Sequence, residues 1–118
     1  MIGEMMGSIR LRNAGITFDN IEEAGDRSST EAVGIVRRLM NDGVSFRGAV
    51  VDSVDGLVLI SNRGQWRFMS CKCGYDGSGV IDAAKALSLA GFGTVDDVKN
   101  KISRGGMESS YIFGSQFI

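Results

Sequence analysis

The sequence predicts an α+β fold, in which an antiparallel β-meander sheet packs against two to three helices. Apolar residues recur with helical spacing after residue 30 and again over residues 80–90, and the segment between them has the pattern of strands joined by turns. The chain has 118 residues, of which 43% are hydrophobic and 23% charged. These totals suit one domain with one core, so we predict a single domain over residues 1–118.

The N-terminal residues predict a β-hairpin. Ile9 and Leu11 alternate with arginines, as on a strand that is buried on one side, and residues 16–18 form the return strand. The loop between them, residues 13–15, ends in Gly15, which suits the left-handed position of a three-residue hairpin loop.

Two capping-box patterns come next along the chain. Asp19 and Glu22 are three residues apart and predict a short helical turn that ends at Gly25. Ser28 and Glu31 have the same spacing and precede an apolar pattern of helical period. They therefore predict a helix that ends near Gly43.

The middle of the chain predicts a three-stranded antiparallel meander. Its strands are residues 44–50, 57–60 and 65–73, and its turns are Asp55-Gly56 and Asn62-Arg63-Gly64. The central strand is continuously apolar, so we expect it to be covered on both faces.

The register of this meander follows from its turns. Two-residue turns would place Val50 and Trp66 on either side of Ser61 on one face, with Val51 and Ile60 on the other. Because both faces are then partly apolar, we expect one to pack on helices. The other face is expected to meet the N-terminal hairpin or another subunit.

Two further helices and a last strand complete the predicted fold. Residues 80–90 are apolar except for one narrow polar stripe, which predicts a mostly buried helix. Thr94 and Asp97 begin a third helix that Gly105-Gly106 ends. Residues 110–118 are too apolar for a free tail, so we predict a strand in the sheet or at an interface.

The composition narrows the classes of function. The net charge of −1, from 13 basic and 14 acidic residues, disfavours duplex nucleic acid as a partner. The chain has no histidine, the usual general base and zinc ligand, so we predict no metal and no cofactor. We interpret Cys71 and Cys73 as reduced, structural thiols of a cytoplasmic protein, since an i,i+2 disulfide would be strained. We expect no signal peptide, and no apolar run in the sequence is long enough to span a membrane.

The most unusual stretch is the glycine-rich link of residues 73–79, between a strand and a buried helix. A helix start offers N–H groups and a partial positive charge to a phosphate or carboxylate, and glycines let a ligand approach closely. Serine would add a hydroxyl, aspartate an acceptor for a ribose or amino group, and tyrosine a ring that stacks on a base. The predicted ligand-binding residues of the link are Tyr75, Asp76, Gly77, Ser78 and Gly79.

A structural interpretation of the same link stays open. Gly74 and Gly77 would make tight turns, Asp76 or Ser78 would cap the helix, and Tyr75 would fill the core. The spacing G-x-x-G-x-G matches neither the dinucleotide-binding pattern nor the phosphate-binding loop of nucleotide hydrolases.

Arginine gives a second indication of an anionic ligand. Nine of the 13 basic residues are arginine, which binds phosphate and carboxylate groups bidentately. The alternative for each of them is an ordinary surface ion pair. The candidates for contact with a ligand at the link are Arg47, Arg63, Arg67 and Arg104.

We therefore expect a non-enzymatic protein that senses or sequesters a small anionic ligand, with a nucleotide or nucleotide-derived signal as the leading class. The alternative is a regulatory or inhibitor-like interaction module that forms a homo-oligomer through its sheet and C-terminal segment. An enzyme ranks last. Asp, Ser, Tyr and Arg can support phosphoryl-transfer or lyase chemistry, but the sequence contains no evident acid–base set.

Overall fold

In the described part of the chain, three consecutive strands form the centre, with one helix before them and two after them, and the α+β class is confirmed. The computed structural model describes residues 21–54, 56–75, 77–106 and 109–114, so the predicted hairpin of residues 9–18 lies outside the described residues. The elements are β1 (Ile21–Glu23), α1 (Ser29–Asn41), β2 (Phe46–Asp52), β3 (Gly56–Ser61), β4 (Gly64–Phe68), α2 (Ser78–Leu89), α3 (Val95–Ile102) and β5 (Ser110–Phe113).

The strands form one mixed sheet in the order β1-β4-β3-β2-β5. Strands β2, β3 and β4 are consecutive and antiparallel, as predicted, and β5 adds antiparallel to β2. Strand β1 pairs in parallel with β4, which makes the sheet mixed instead of a pure meander. The predicted helical turn before Gly25 is wrong, because Ile21–Glu23 takes its backbone partners from Gln65–Arg67 at the edge of the sheet.

The predicted register is also wrong on both sides of β3. The first turn is longer than two residues, and after the second turn Trp66 pairs with Leu59 instead of Ser61. Gly56 belongs to β3 and pairs with Asp52, so three residues separate the paired positions. Gly56 has φ +93° and lies against the carbonyl of Phe68, where a Cβ atom would overlap backbone. Val50 consequently pairs with Val58, not with Ser61.

Strand β4 ends at Phe68, earlier than the predicted end at residue 73. The Ser70 N–H donates to Asp26 Oδ2 (2.9 Å) instead of continuing the ladder. The Lys72 N–H then donates to the carbonyl of Gly79 (3.4 Å). These bonds direct the chain from the sheet to the helix layer.

All three helices pack on one face of the sheet and form the main core with it. This core holds buried side chains of the sheet and of every helix, among them Ala49, Leu57, Leu59, Phe68, Val36, Val80, Leu87 and Ile102. None of the helices in the described ranges is long and apolar enough to span a membrane.

The opposite face of the sheet, which we call the second face, carries a smaller apolar cluster. Its centre consists of Val50, Val58 and Ile60, which are only 1–2% exposed. Ile21 and Ile112 pack against them from the two edge strands. The expectation that both faces are apolar is therefore confirmed.

Candidate functional site

The glycine-rich link lies at the end of the sheet where β2 ends and β3 begins, which we call the link end. Asp52 pairs with both Gly56 and Ser110 there, and Cys73 Sγ lies 3.6 Å from the carbonyl oxygen of Val51. Helix α2 starts at this end, and so does α1, because Ser29 Oγ donates to Asp82 Oδ2 of α2 (2.6 Å). Two helix N-termini therefore lie side by side at the link end.

The start of α2 differs from the starts of the other two helices. Ser28 caps α1 by accepting the Glu31 N–H (3.1 Å), and Thr94 caps α3 by accepting the Asp97 N–H (3.2 Å). Both of those helices also carry a carboxylate in the first turn. Within the described chain, α2 has neither feature, since its cap residue is Gly77 and its first turn holds no acid.

The ring of Tyr75 lies across the glycines at the start of α2. A Cβ atom at Gly77 would stand 2.8 Å from Cε2 of this ring, and one at Gly79 would stand 2.5 Å from its Oη. These two glycines therefore make room for Tyr75. The residue is 46% exposed, so it does not fill the core and has a solvent-accessible surface beside the helix start.

Gly74, the first glycine of the link, has a structural role. It has φ +89°, and a Cβ atom there would overlap the carbonyl of Gly106 and the hydroxyl of Ser109. Its N–H donates to the carbonyl of Ile102 (2.6 Å) and so fixes the link against the C-terminus of α3. The structural interpretation of the link is therefore right for this glycine.

A buried carboxylate, Asp82, holds the two helix starts together. It is 8% exposed and accepts hydrogen bonds from Ser29 Oγ and from Thr30 Oγ1 (3.3 Å). Lys85 Nζ lies 3.8 Å from its other oxygen. In the sequence, Asp82 is one residue of the narrow polar stripe of α2. The signal that could have identified it is a lone acid in an otherwise apolar half-helix.

The four candidate arginines are dispersed over the molecule. Arg104 lies at the link end, exposed, where its carbonyl accepts the Tyr111 hydroxyl (2.7 Å). Arg67 forms an ion pair with Glu23 (2.8 Å) across the β1–β4 edge. The structure therefore does not bring the four arginines together beside the link.

The remaining two arginines lie at the opposite end of the sheet, which is about 20 Å away along a six-residue strand. Arg63 Nη1 donates to the carbonyl of Asp42 (2.7 Å), at the C-terminus of α1. Arg47 is exposed at the irregularity that interrupts the β2–β3 register. Sequence adjacency to the meander could not reveal at which end of it each arginine falls.

Ser78 and Arg27 also lie at the link end. Ser78 is exposed at the first position of α2. Arg27, which sequence reasoning did not select, precedes the cap of α1 and pairs with Glu31 (3.5 Å). Asp76 lies outside the described residues.

Both cysteines are buried free thiols beside this site. Burial raises the pKa of the Cys71 thiol to about 12, and the Asp26 and Asp82 carboxylates add to the shift. Burial also raises the pKa of Cys73 to about 11. At neutral pH both are protonated and are not nucleophiles. Among the residues that the structure describes, no three His, Cys, Asp or Glu side chains form a group that could hold a metal ion.

A scan against protein-family models and searches of curated proteins and of solved structures found no match for this chain. We therefore infer the function from the geometry and charge of the link end.

Proposed function

We propose that the protein binds a small anionic ligand, without reaction, at the first turn of α2 and beside the ring of Tyr75. The leading ligand class is a nucleotide or nucleotide-derived signal, which the protein would sense or sequester. The observation that carries the proposal is the start of α2. It combines a glycine cap, an exposed Ser78 hydroxyl and no acid in the first turn.

The anionic part of the ligand would be held by the helix start. The first N–H groups of a helix have no acceptor within it, and a glycine cap has no side chain to provide one. A phosphate oxygen can accept from these groups and from the Ser78 hydroxyl. An anion at an exposed helix start gains about 0.3–1 kcal/mol from the helix dipole. Exposed Arg104 and Arg27 add positive charge at the same end.

The remainder of the ligand would stack on Tyr75. One side of this ring is supported by the backbone of Gly77 and Gly79. Stacking of a base on an aromatic side chain contributes about 1–3 kcal/mol, which exceeds the contribution of the helix start. We therefore expect Tyr75→Ala to weaken binding about tenfold or more, and Ser78→Ala to weaken it less.

We propose binding instead of catalysis because the described residues of the site offer no evident general base or nucleophile. The chain has no histidine, and the two nearby thiols are protonated at neutral pH. Free thiols also fit the reducing cytoplasm that we propose as its location.

Calorimetric titration with inorganic phosphate and a panel of nucleotides and cyclic nucleotides tests the proposal. Ser78→Asp is the decisive variant, because a carboxylate at the first position favours the helix but repels an anion. We expect this variant to remain folded and to lose binding. Asn100→Asp adds the same charge on the exposed side of α3 and should bind as the parent does. If the folded parent protein showed no heat of binding with any ligand of the panel, the proposal would be overturned.

A second candidate function is an interaction module that forms a homo-oligomer through its sheet edge and C-terminal segment. The observation that favours it is β5, an edge strand in the described sheet whose sequence Ser-Tyr-Ile-Phe has no charge to prevent pairing. The Ser53 N–H donates to the carbonyl of Ser109 (3.1 Å). Since bonded pairs alternate along an antiparallel ladder, the N–H of Ile112 then points away from β2.

A matched pair of variants tests this candidate by light scattering. Ile112→Pro removes the backbone N–H that points away from β2. Ile112→Ala shortens the side chain but retains this N–H. If the protein assembles through this edge, the parent protein and the Ile112→Ala variant should be oligomers, whereas the Ile112→Pro variant should be a monomer. A monomeric parent protein would exclude the candidate.

A further inference from the structure

The second face of the sheet is buried although every described helix packs on the other face. Val50, Val58 and Ile60 are 1–2% exposed, and the members of their cluster within the described ranges all belong to strands. The helices contribute their apolar side chains to the main core instead. A sheet face becomes this inaccessible only when another layer packs on it, about 10 Å away. Residues outside the described ranges must therefore provide that layer, or a second molecule must do so.

We propose that residues 1–20 of the same chain form this layer and that the second face is their docking surface. This segment leads directly into β1, whose Ile21 belongs to the second-face cluster. The other parts of the chain outside the description are residues 55, 76, 107–108 and 115–118, each of four residues or fewer. Four residues extend at most about 14 Å, too little to cover the sheet face.

The pattern of the segment matches the surface. Ile9 and Leu11 alternate with Arg10 and Arg12, and a strand with this pattern presents one apolar and one charged side. The apolar side matches a surface made of valine and isoleucine, and the arginine side suits solvent. The segment is long enough for two antiparallel arms joined by the loop at residues 13–15.

A buried acceptor on the second face gives an independent indication. Gln65 pairs with both Ile21 and Ile60, so its side chain lies on the same face as theirs. Its Oε1 atom is buried and has no hydrogen-bond donor among the described residues. An orphaned buried acceptor is unfavourable, and a covering segment that carries backbone N–H groups and the side-chain amide of Asn13 brings donors to it.

The test is a paramagnetic NMR measurement on the full chain. A nitroxide is attached to Arg10→Cys, which lies on the predicted outer side of the segment. The unsubstituted chain is the control and should take up no label, because Cys71 and Cys73 are buried. We expect strong broadening of the amide signals of Val58 and Ile60 and much weaker broadening of Asn100 on α3. The proposal would be overturned if the signals of β3 and of Asn100 were broadened equally, or if the signals of β3 were not broadened.

A mixed sample distinguishes this segment from that of a second copy. Isotope-labelled chains without nitroxide are combined with unlabelled chains that carry it. We expect no broadening at β3 in this sample. Broadening there would show that the layer comes from another molecule and would overturn the intramolecular assignment.

A pair of neighbouring substitutions tests the orientation of the segment. Ile9→Ser is expected to lower the urea midpoint of unfolding and to increase binding of a hydrophobic dye, because it removes an apolar contact with the second face. Arg10→Ser is expected to leave both unchanged. Equal behaviour of the two variants would contradict the proposed packing. None of these outcomes depends on ligand binding at α2.

Discussion

Helices α1 and α2 begin at the same end of the sheet, but their first turns are constructed differently. At α1, Ser28 accepts the Glu31 N–H and Glu31 in turn accepts the N–H of Arg27 (3.0 Å), which lowers the pKa of Glu31. At α2 the cap is Gly77, and the ring of Tyr75 lies where a cap side chain would stand.

This difference separates a helix start that is satisfied by its own residues from one that can accept an external group. The capped first turn of α1 gains nothing from an added anion, because the Glu31 carboxylate already occupies its positive end. The nearest carboxylate of α2 is Asp82, one turn further along, and hydroxyl groups of α1 already donate to it. The exposed Ser78 position is therefore where an anion would gain most.

The largest effect is expected from Gly74→Ala, which tests the part of the link that serves structure alone. The positive φ and the overlap with the Gly106 carbonyl predict a loss of about 2–4 kcal/mol in the free energy of unfolding. Urea denaturation measures it. The control is Gly34→Ala in α1, where nothing lies within 4 Å of the new Cβ atom. It should stabilise by up to about 1 kcal/mol. Similar results for the two variants would remove the distinction.

Asp82→Ala breaks the connection between the two helix starts. Hydrogen bonds to a charged group contribute about 1.5–3 kcal/mol, so we expect a loss of about 2–3 kcal/mol in the free energy of unfolding. Asp82→Asn keeps an acceptor oxygen for Ser29 and should lose less. If the Ala variant were as stable as the parent protein, the carboxylate would not be holding α1 and α2 together.

Alkaline pH should destabilise the protein through the thiols that adjoin the link. The Cys71 pKa rises from 9.0 to about 12 on folding, so the folded state retains its proton where the unfolded state loses it. Stability from this thiol is complete below pH 9 and decreases up to about pH 12, by at most about 1.4 kcal/mol per pH unit. Cys73 shifts in the same direction. Denaturation between pH 8 and 11 measures the slope, and Cys71→Ala should reduce it.

The sequence predicts the fold class well because long elements have clear periods, but it misleads where a short motif has two interpretations. Asp55-Gly56 has the composition of a two-residue turn, yet Gly56 is required in the strand by its contact with the Phe68 carbonyl. Asp19 and Glu22 have capping-box spacing, yet Glu22 pairs with Trp66 in a three-residue edge strand. In both cases a distant strand decides, and local spacing does not contain that information.

The sequence predicts where the candidate site lies better than it predicts which residues lie there. The link, the start of α2 and the buried thiols follow from local pattern. Arg63 and Arg47 belong to the meander that leads into the link, which is why the sequence associates them with it, but the register places them at the other end. The sequence does not single out Asp82, because its partners Ser29 and Thr30 are more than 50 residues away.

Ser28→Ala and Ser78→Ala compare the two helix starts with the same substitution. Ser28 is a cap residue, so its replacement should cost about 1 kcal/mol of stability. Ser78 is one position further into its helix and should cost only a few tenths. Ligand affinity is expected to respond in the opposite order. Thermal denaturation and calorimetry together measure both, and parallel changes in the two variants would contradict the comparison.

The smallest change in stability, and the sharpest test of the link, is expected from Gly79→Ala. The new Cβ atom meets Tyr75 Oη, the end of a side chain that can move, and lies 3.1 Å from the backbone carbonyl oxygen of Ser70, which has to shift slightly. Alanine in turn improves the helix by up to about 1 kcal/mol. The net change should therefore be below about 1 kcal/mol, while the ring leaves its place and its NMR signals shift. In a Tyr75→Phe background the same substitution should lower stability less or raise it, because the overlapping oxygen is gone and the contact with the Ser70 carbonyl remains. If Gly79→Ala instead left the Tyr75 signals unchanged and ligand affinity intact, the glycines would serve neither the ring nor the site, and the two helix starts would differ in capping alone.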